Sequence, residues 1–247
     1  MAGRTYKTEA VVLRSLRLGE ADRILHLYTI ERGRVGAVAK GIRRTKSRFG
    51  ARLEPLSHVE VLLHQGRGEL QTVTGVDLLH SHRAAREEPY RLGVSLVGLE
   101  AVLRLFPEPE ANPRAFTALT RFLEVADELE PLPGRPPRLD PVALAFQLKL
   151  LWVAGYLPHL ASCVECGEES ALVGFSPAGG GAVCRGCSAG SFPLSPAGFA
   201  AIDRLLHRPL VEVAGPGLTE RDAREALQVV TASHEYHGGF RLRTLTA

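Results

Sequence analysis

The sequence has little of what catalysis, secretion or membrane insertion requires. Among its 247 residues are one Met, one Trp and four Cys, and aromatic residues make up 6%. Apolar stretches are broken by Arg, Glu or Lys before they reach the length of a membrane span, and residues 1–9 lack the apolar run of a signal peptide. We therefore expect a cytoplasmic protein without a membrane partner. Its 45% hydrophobic and 23% charged residues are typical of globular proteins.

Recognisable catalytic motifs are absent as well. A Walker-type phosphate loop needs a Lys and a hydroxyl at fixed spacing from its glycines, and the surroundings of Gly41 and of residues 179–181 lack them. There is no Gly-x-Ser-x-Gly nucleophile motif. His80 and His82 could face one another, but the sequence gives no metal-ligand set around them. We therefore predict that the protein is not an enzyme.

Carboxylates are missing from residues 32–53, between Glu31 and Glu54. The same stretch carries eight cationic side chains, namely Arg32, Arg34, Lys40, Arg43, Arg44, Lys46, Arg48 and Arg52. Residues 1–80 hold 14 Lys and Arg against 8 Asp and Glu, whereas residues 81–247 hold 16 against 19. A basic N-terminal unit of this kind favours nucleic acid as the partner. One alternative is a solvated loop without a partner. Another is a preference for Arg that reflects a GC-rich genome, since Arg outnumbers Lys by 26 to 4.

The first eighty residues favour short β-strands. Five segments rich in Val, Ile, Leu, Thr or Tyr are separated by turn and charge signals. The predicted strands are Ala10–Leu16, Ile24–Tyr28, Val35–Ala39, Val59–Leu63 and Leu70–Val76. Five short strands in a segment of this size predict a small barrel. An oligonucleotide-binding (OB) fold is the first candidate and an SH3-like barrel the alternative.

Helices are predicted after residue 80. Three segments begin with a capping residue followed by Pro, at Asn112-Pro113, Asp140-Pro141 and Ser195-Pro196, and continue with apolar residues at helical spacing. Thr219 lies three residues before Asp222, as in a capping box, and residues 90–106 predict a buried helix. The expected fold class is α+β, with a five-stranded OB-fold barrel followed by a mainly helical domain.

All four Cys lie in one short segment. Cys163-x2-Cys166 and Cys184-x2-Cys187 are separated by seventeen residues, a spacing typical of two zinc knuckles. Four thiolates leave no coordination position for water or substrate, so we expect one structural Zn²⁺ per chain. The alternatives are a redox-active CxxC, whose usual α/β setting is missing, and a ligand role for His159 in place of one Cys.

Four N-terminal segments carry a family resemblance. They are Ala10-Val11-Val12-Leu13, then GEADRIL at residues 19–25, then AVAKGIRRTKSRFG at residues 37–50, and Leu53-Glu54-Pro55-Leu56. These segments closely resemble the RecO family of bacterial recombination mediators. The similarity continues in order through a helical middle, the CxxC pairs and a final helix ending at Tyr236. It implies an N-terminal OB fold, a helical domain and a zinc site.

The resemblance implies a DNA repair and recombination mediator of the RecF pathway. Members of the family bind single- and double-stranded DNA, anneal complementary strands, and act with RecR to load RecA onto strands coated by single-strand binding protein (SSB). The implied partners are therefore DNA, RecR and the C-terminal tail of SSB, with RecF and RecA contacted indirectly. The implied location is cytoplasmic and nucleoid-associated.

The resemblance implies that cations of this chain contact DNA. The candidates for phosphate neutralisation are Lys40, Arg43, Arg44, Lys46, Arg48 and Arg52, supported by Arg14, Arg17 and Arg23. Phe49 and Tyr28 could stack on unpaired bases, although a lone aromatic residue in a strand usually packs inward.

Three regions are expected along the chain. Residues 1–80 would form the OB-fold DNA-binding domain, residues 81–160 and 190–247 the helical domain, and residues 161–189 the zinc insertion. An SSB tail is acidic with an apolar end, so a groove edged by Arg121, Arg204 or Arg208 could accept it. The alternative function is a zinc-ribbon regulator or an RNA-binding factor.

Overall fold

A closed barrel of five strands forms the N-terminal part of the chain. The structure, a computed structural model, describes residues 4–246. The strands are β1 (Arg4–Leu18), β2 (Asp22–Thr29), β3 (Gly33–Ala39), β4 (His58–Gln65) and β5 (Gln71–His80). They are paired in the order β1-β2-β3-β5-β4, and β4 pairs back with β1. All pairs are antiparallel except β3 with β5. This order is that of an OB fold, so the predicted barrel is confirmed.

Strand β1 is longer than the sequence predicts because it pairs along both edges. Residues 10–18 pair with β2, and residues 4–11 pair with β4. The register shifts between Val12 and Arg14, and such a bulge bends a strand. The segment before Ala10 has few apolar residues, so its strand character depends on pairing with β4. Ala10 and Val11 pair with both neighbouring strands, so β1 has no free edge at these residues.

Alternating side chains of the strands fill the barrel. In β3, Val35, Ala37 and Ala39 are buried, and the residues between them are partly exposed. The neighbouring strands contribute Leu25, Leu27, Val59, Val61, Leu63 and Val73 to the same core. Burying a Val or Leu side chain stabilises a fold by about 1.5–3 kcal/mol, so this core supports the barrel.

The second part of the chain is mainly helical. Its helices are α1 (Arg83–Glu87), α2 (Pro89–Leu105), α3 (Pro113–Glu128), α4 (Pro141–Val153), α5 (Pro196–His207), α6 (Leu210–Val213), α7 (Glu220–Ser233) and α8 (Arg243–Thr246). The side chains of Asn112, Asp140, Ser195 and Thr219 each accept a hydrogen bond from an N–H of the following turn. All four predicted helix starts are therefore confirmed. No helix within residues 4–246 has the length and apolar character needed to cross a bilayer.

The cysteine segment adds a small sheet that sequence patterns did not predict. Its strands are β6 (Leu172–Ser176), β7 (Gly181–Cys184) and β8 (Phe192–Pro193), in the order β7-β6-β8. They have two to five residues each, too few for a period-2 pattern to stand out. The sheet positions the second CxxC pair, since β7 ends at Cys184.

The barrel packs one side against the helical layer. Val11, Leu13 and Tyr28 belong to the same buried cluster as the helices, not to the barrel interior. The Tyr28 ring lies 6.0 Å from that of Phe106, centroid to centroid. At the β2–β3 turn, Gly33 has a φ of +60°, and a Cβ there would lie 2.1 Å from the carbonyl oxygen of Glu110. Only glycine allows this contact.

A buried histidine follows the last long helix. His234 is 1% exposed and lies in a π-helical turn, His234–Gly238. Its Nε2 atom is 2.8 Å from Oε1 of Gln147 in α4. Burial lowers the pKa of His234 to about 4, so the ring is neutral at pH 7.

The stability of the fold should decrease between pH 7 and pH 5 because of His234. An unfolded histidine titrates near pH 6.5, so the unfolded chain binds a proton that the folded chain does not. The neutral ring of His234 stabilises the folded state fully above pH 6.5, and this stabilisation is lost as the pH falls toward 4. The loss amounts to about 2 kcal/mol at pH 5. Urea unfolding at both pH values should therefore find a smaller loss in His234→Gln than in the unsubstituted protein. Equal losses would contradict this assignment.

Candidate nucleic-acid interface and metal centre

The basic loop, residues 40–57, joins β3 to β4 and is anchored by apolar side chains. Ile42, Phe49 and Leu53 are 8%, 1% and 0% exposed and belong to the barrel core. Removing a buried Phe typically costs about 3–5 kcal/mol, so Phe49 is a strong anchor. The loop is thereby held against the end of the barrel.

Hydrogen bonds fix the start of the basic loop to the β1–β2 turn. The N–H of Gly41 donates to Oδ1 of Asp22 at 2.7 Å, and the N–H of Arg43 donates to the carbonyl of Ala21 at 2.9 Å. Gly41 has a φ of +69°, which favours glycine. The two turns therefore form one surface at this end of the barrel.

Three cations of the basic loop have no partner within the described part of the chain. Lys40, Arg44 and Lys46 are exposed, and their side chains form no hydrogen bond or ion pair with residues 4–246. The guanidinium of Arg48 lies 4.8 Å from the centroid of the Phe49 ring. With four uncompensated charges, this surface can neutralise phosphates without first breaking ion pairs.

Three other predicted DNA contacts form bonds within the protein. Arg43 donates to the carbonyl of Gly19 at 3.2 Å, and Arg52 donates to the carbonyls of Phe49 and Val76 at 2.9 Å each. Carbonyl partners leave the charge of an Arg uncompensated. Arg23 differs, since its guanidinium lies 3.1 Å from a carboxylate oxygen of Glu54.

The remaining two candidates lie on β1. Arg14 and Arg17 are exposed and are paired in register with His26 and Arg23 of β2. Burial, and after it the charges of Arg34 and Arg14, lower the pKa of His26, so this ring is neutral at pH 7. The positive surface thus continues from the basic loop onto the outer face of β1 and β2.

Neither aromatic residue considered for base stacking is accessible. Phe49 is 1% exposed and Tyr28 is 0% exposed. Phe49 packs inside the barrel, and Tyr28 packs between the barrel and the helices. The inward-packing interpretation is confirmed for both, and the candidate interface is one of charge.

The four cysteine side chains converge at one point. All four sulfur atoms lie within 4.8 Å of one another, and the Sγ atoms of Cys166 and Cys184 are 3.7 Å apart. A tetrahedral zinc site with Zn–S bonds of about 2.3 Å places its sulfurs about 3.8 Å apart. Gly167 has a φ of +78°, and its N–H donates to the carbonyl of Cys163 at 2.9 Å, closing the first knuckle. The donor set fits a divalent metal ion.

The thiols influence one another strongly at this separation. The backbone N–H of Cys184 is the largest of the influences that lower the pKa of Cys163, to about 6. Hydrogen bonding with the sulfurs of Cys166 and Cys184 raises the pKa of Cys187 to about 12. Four thiolates cannot coexist so closely without a compensating cation. A zinc ion would supply that compensation.

His159 has a different role from the one considered for it. Its Nε2 atom is 2.8 Å from the hydroxyl of Ser162, and the ring is not part of the group of converging sulfurs. Its backbone bonds to Gly180 and Ala182, at 3.0 and 2.7 Å. His159 therefore extends the small sheet that carries Cys184.

The helical domain contains a groove whose lining agrees in part with the sequence prediction. It encloses about 680 Å³, and its lining includes Arg121, Lys149, Trp152, Arg208 and Val211. Trp152 and Val211 are 59% and 66% exposed and line the same groove, which therefore presents apolar surface to solvent. The predicted Arg121 and Arg208 lie in this lining. The third candidate, Arg204, instead donates to the carbonyl of Gly217 at 2.8 Å.

Comparison with known proteins gives one consistent family. Residues 1–82 match the family model for the N-terminal part of Recombination protein O, and residues 86–246 match the model for its C-terminal part. A protein named DNA repair protein RecO from Rubrobacter xylanophilus is 40% identical over 235 residues, which are 93% of this chain and 90% of that protein. The protein of the same name from Thermobifida fusca is 39% identical over 235 residues, covering 94% and 93%. That from Cutibacterium acnes is 42% identical over 185 residues, or 74% of each chain. The chain therefore belongs to the RecO family of DNA repair proteins.

Proposed function

We propose that this chain is a recombination mediator that binds single- and double-stranded DNA, anneals complementary strands and helps RecR to load RecA onto SSB-coated DNA. The observation that carries the proposal is the anchored basic loop, with Lys40, Arg44 and Lys46 unpaired among the described residues. The proposed contacts are to phosphates, which every DNA sequence presents alike. We propose that the protein does this work without catalytic chemistry.

Annealing would follow from how the basic loop binds. Two complementary strands repel each other through their phosphates, and cations placed between them lower this repulsion. The aromatic rings that could compete for bases, Phe49 and Tyr28, are buried. Bases of a bound strand therefore remain available for pairing, which an annealing protein requires.

The groove in the helical domain is proposed to bind the C-terminal tail of SSB. Such a tail ends in apolar residues and is otherwise acidic. Trp152 and Val211 offer apolar surface, and Arg121 and Lys149 outnumber the single carboxylate of the lining, that of Glu124. Arg208, also in the lining, is paired with Glu212 at 3.3 Å. Complementary charge of this kind increases association rates and selects partners. The groove is separate from the basic loop, so DNA and the tail could bind at the same time.

We propose that the four cysteines hold one structural zinc ion. Cys163, Cys166, Cys184 and Cys187 would supply all four ligands, so the ion would have no open position for chemistry. Its contribution would be to fix residues 161–189 against the helical domain. RecR is proposed as a partner from the family alone, as are indirect contacts with RecF and RecA.

Each of the predicted regions is assigned one role in the proposed function. Residues 1–80 would bind DNA, residues 81–160 and 190–247 would bind the SSB tail, and residues 161–189 would be a zinc-stabilised insertion. A cytoplasmic, nucleoid-associated location is proposed with this function.

Neutralising the basic loop should weaken DNA binding and its salt dependence together. With about five phosphates neutralised, log affinity for single strands should fall with log salt at a slope of roughly −3.5. The triple variant Lys40→Gln, Arg44→Gln, Lys46→Gln should reduce the steepness of that slope by about 2, since each single-strand contact contributes about 0.7. Fluorescence anisotropy at several salt concentrations measures it.

A matched control removes the same charge elsewhere. Arg83, Arg221 and Arg224 are exposed and each pairs with a Glu one helical turn away. Their triple change to Gln should leave the slope unaltered. An unchanged slope in the loop variant would refute the assignment, and a strong preference for structured RNA would favour the alternative RNA-binding function.

Replacing a cysteine should remove the metal and loosen the insertion. Cys163 is 2% exposed, the most buried of the four. Cobalt loaded into the unsubstituted protein should produce thiolate-to-metal charge-transfer absorption, and Cys163→Ser should lose it together with thermal stability. A variant that keeps full stability without bound metal would argue against a structural site. DNA binding should persist in any such variant that folds, because the basic loop lies in the barrel.

Reversing one charge of the groove should weaken binding of the SSB tail. Arg121 is exposed, so Arg121→Glu should lower the affinity for a labelled tail peptide by about tenfold while DNA binding is kept. Arg114→Glu on the same helix lies outside the groove lining and serves as the control. Equal affinities in the two variants would place the tail elsewhere.

A further inference from the structure

Two histidines and an aspartate meet where the barrel joins the helices. His80 ends β5, His82 precedes α1, and Asp127 lies near the end of α3. The Nδ1 atom of His82 is 2.7 Å from Oδ2 of Asp127 and 3.2 Å from Nδ1 of His80. The Nδ1 atom of His80 is 3.6 Å from the same Asp127 oxygen. Sequence patterns did not reveal this triad, because Asp127 is 45 residues from His82.

The separations are close to those of metal ligands. Bonds of about 2.0–2.2 Å from a metal ion to N and O ligands place neighbouring ligand atoms roughly 3.0–3.5 Å apart, depending on the geometry. Of the three separations here, 3.2 Å lies within that range, 2.7 Å is shorter and 3.6 Å is slightly longer, so small side-chain shifts would bring all three atoms to ligand spacing. Two imidazoles and one carboxylate form a set that first-row divalent cations prefer.

Few protons are available to link the three atoms. If the Nδ1 proton of His82 is donated to Asp127, the short contact between the two histidine nitrogens has no proton of its own. Nδ1 of His80 accepts a hydrogen bond from the backbone N–H of His82 at 3.3 Å, so this nitrogen carries a lone pair and not a proton. A cation that takes the place of the Nδ1 proton of His82 would accept lone pairs from both histidine nitrogens and from the Asp127 oxygen.

The surroundings hold the ligands in place and leave access from solvent. The other oxygen of Asp127 accepts a hydrogen bond from the N–H of Ala85 at 2.8 Å, which fixes the carboxylate. His82 is 1% exposed and has a φ of +47°, an uncommon conformation for a residue other than glycine. The side chain of His80 is 53% exposed, so an ion could enter and retain water ligands.

We propose that His80, His82 and Asp127 form a second metal site, which binds a first-row divalent cation such as Zn²⁺ or Co²⁺. The site is distinct from the cysteine cluster and independent of the proposed function. It would link the last strand of the barrel to α3 of the helical domain. Metal binding would then restrict movement between the two parts of the molecule.

The test is a cobalt titration of the full chain whose cysteine site is already filled with zinc. One further saturable equivalent of Co²⁺ should bind, with weak visible bands and no thiolate charge transfer. His80→Ala leaves the bond between His82 and Asp127 in place, so it should fold normally and bind this equivalent at least about tenfold more weakly. Asp127→Asn, which retains an acceptor for Ala85, should have the same effect.

The matched control is an exposed pair on α5. The Nδ1 atom of His207 lies 3.0 Å from Oδ1 of Asp203, and His207→Ala should leave cobalt binding unchanged. In thermal unfolding, added Zn²⁺ should raise the Tm of the unsubstituted protein and of the control but not of His80→Ala. Absence of a further cobalt equivalent would overturn the proposal. So would binding that is unchanged in His80→Ala or equally reduced in His207→Ala.

Discussion

The insertion of Ile42, Phe49 and Leu53 into the end of the barrel determines how this protein presents charge. A loop with six cations and no carboxylate between residues 40 and 52 would repel itself and extend into solvent if nothing held it. The buried side chains offset that repulsion, and backbone bonds to Asp22 and Ala21 fix the start of the loop. The cations are thus preorganised on a folded support, and binding of a phosphate backbone, as proposed, would require little further ordering.

Local signals in the sequence were sufficient for much of the fold. A capping side chain followed by Pro defines a helix start at Asn112, Asp140 and Ser195, because both features act within one turn. The barrel strands are recognisable because the barrel buries alternate residues. The two-residue strand β8 and the first part of β1 are different, since they are extended only because a partner strand pairs with them. The parallel contact of β3 with β5, which closes the barrel, is likewise a tertiary feature.

The candidate sites also differ in whether local sequence or tertiary structure determines them. The cysteine cluster is encoded by spacing, and the structure brings its four sulfurs together. The nine DNA-contact candidates came from a charge pattern and a family resemblance, but sequence could not distinguish Arg23, which is paired with Glu54, from Lys40, which has no partner among residues 4–246. The groove depends on Trp152 remaining exposed, and the histidine triad on Asp127 arriving from another helix. Neither arrangement is visible in local patterns.

If the proposed function holds, the cationic surface brings DNA strands together while their bases stay free. The most direct measurement is the rate at which complementary SSB-coated strands anneal in the presence of the full chain. We expect annealing much faster than the spontaneous reaction, with the acceleration lost as added salt screens the phosphate contacts. Strands that bind the protein but anneal no faster than without it would contradict the proposed role in annealing.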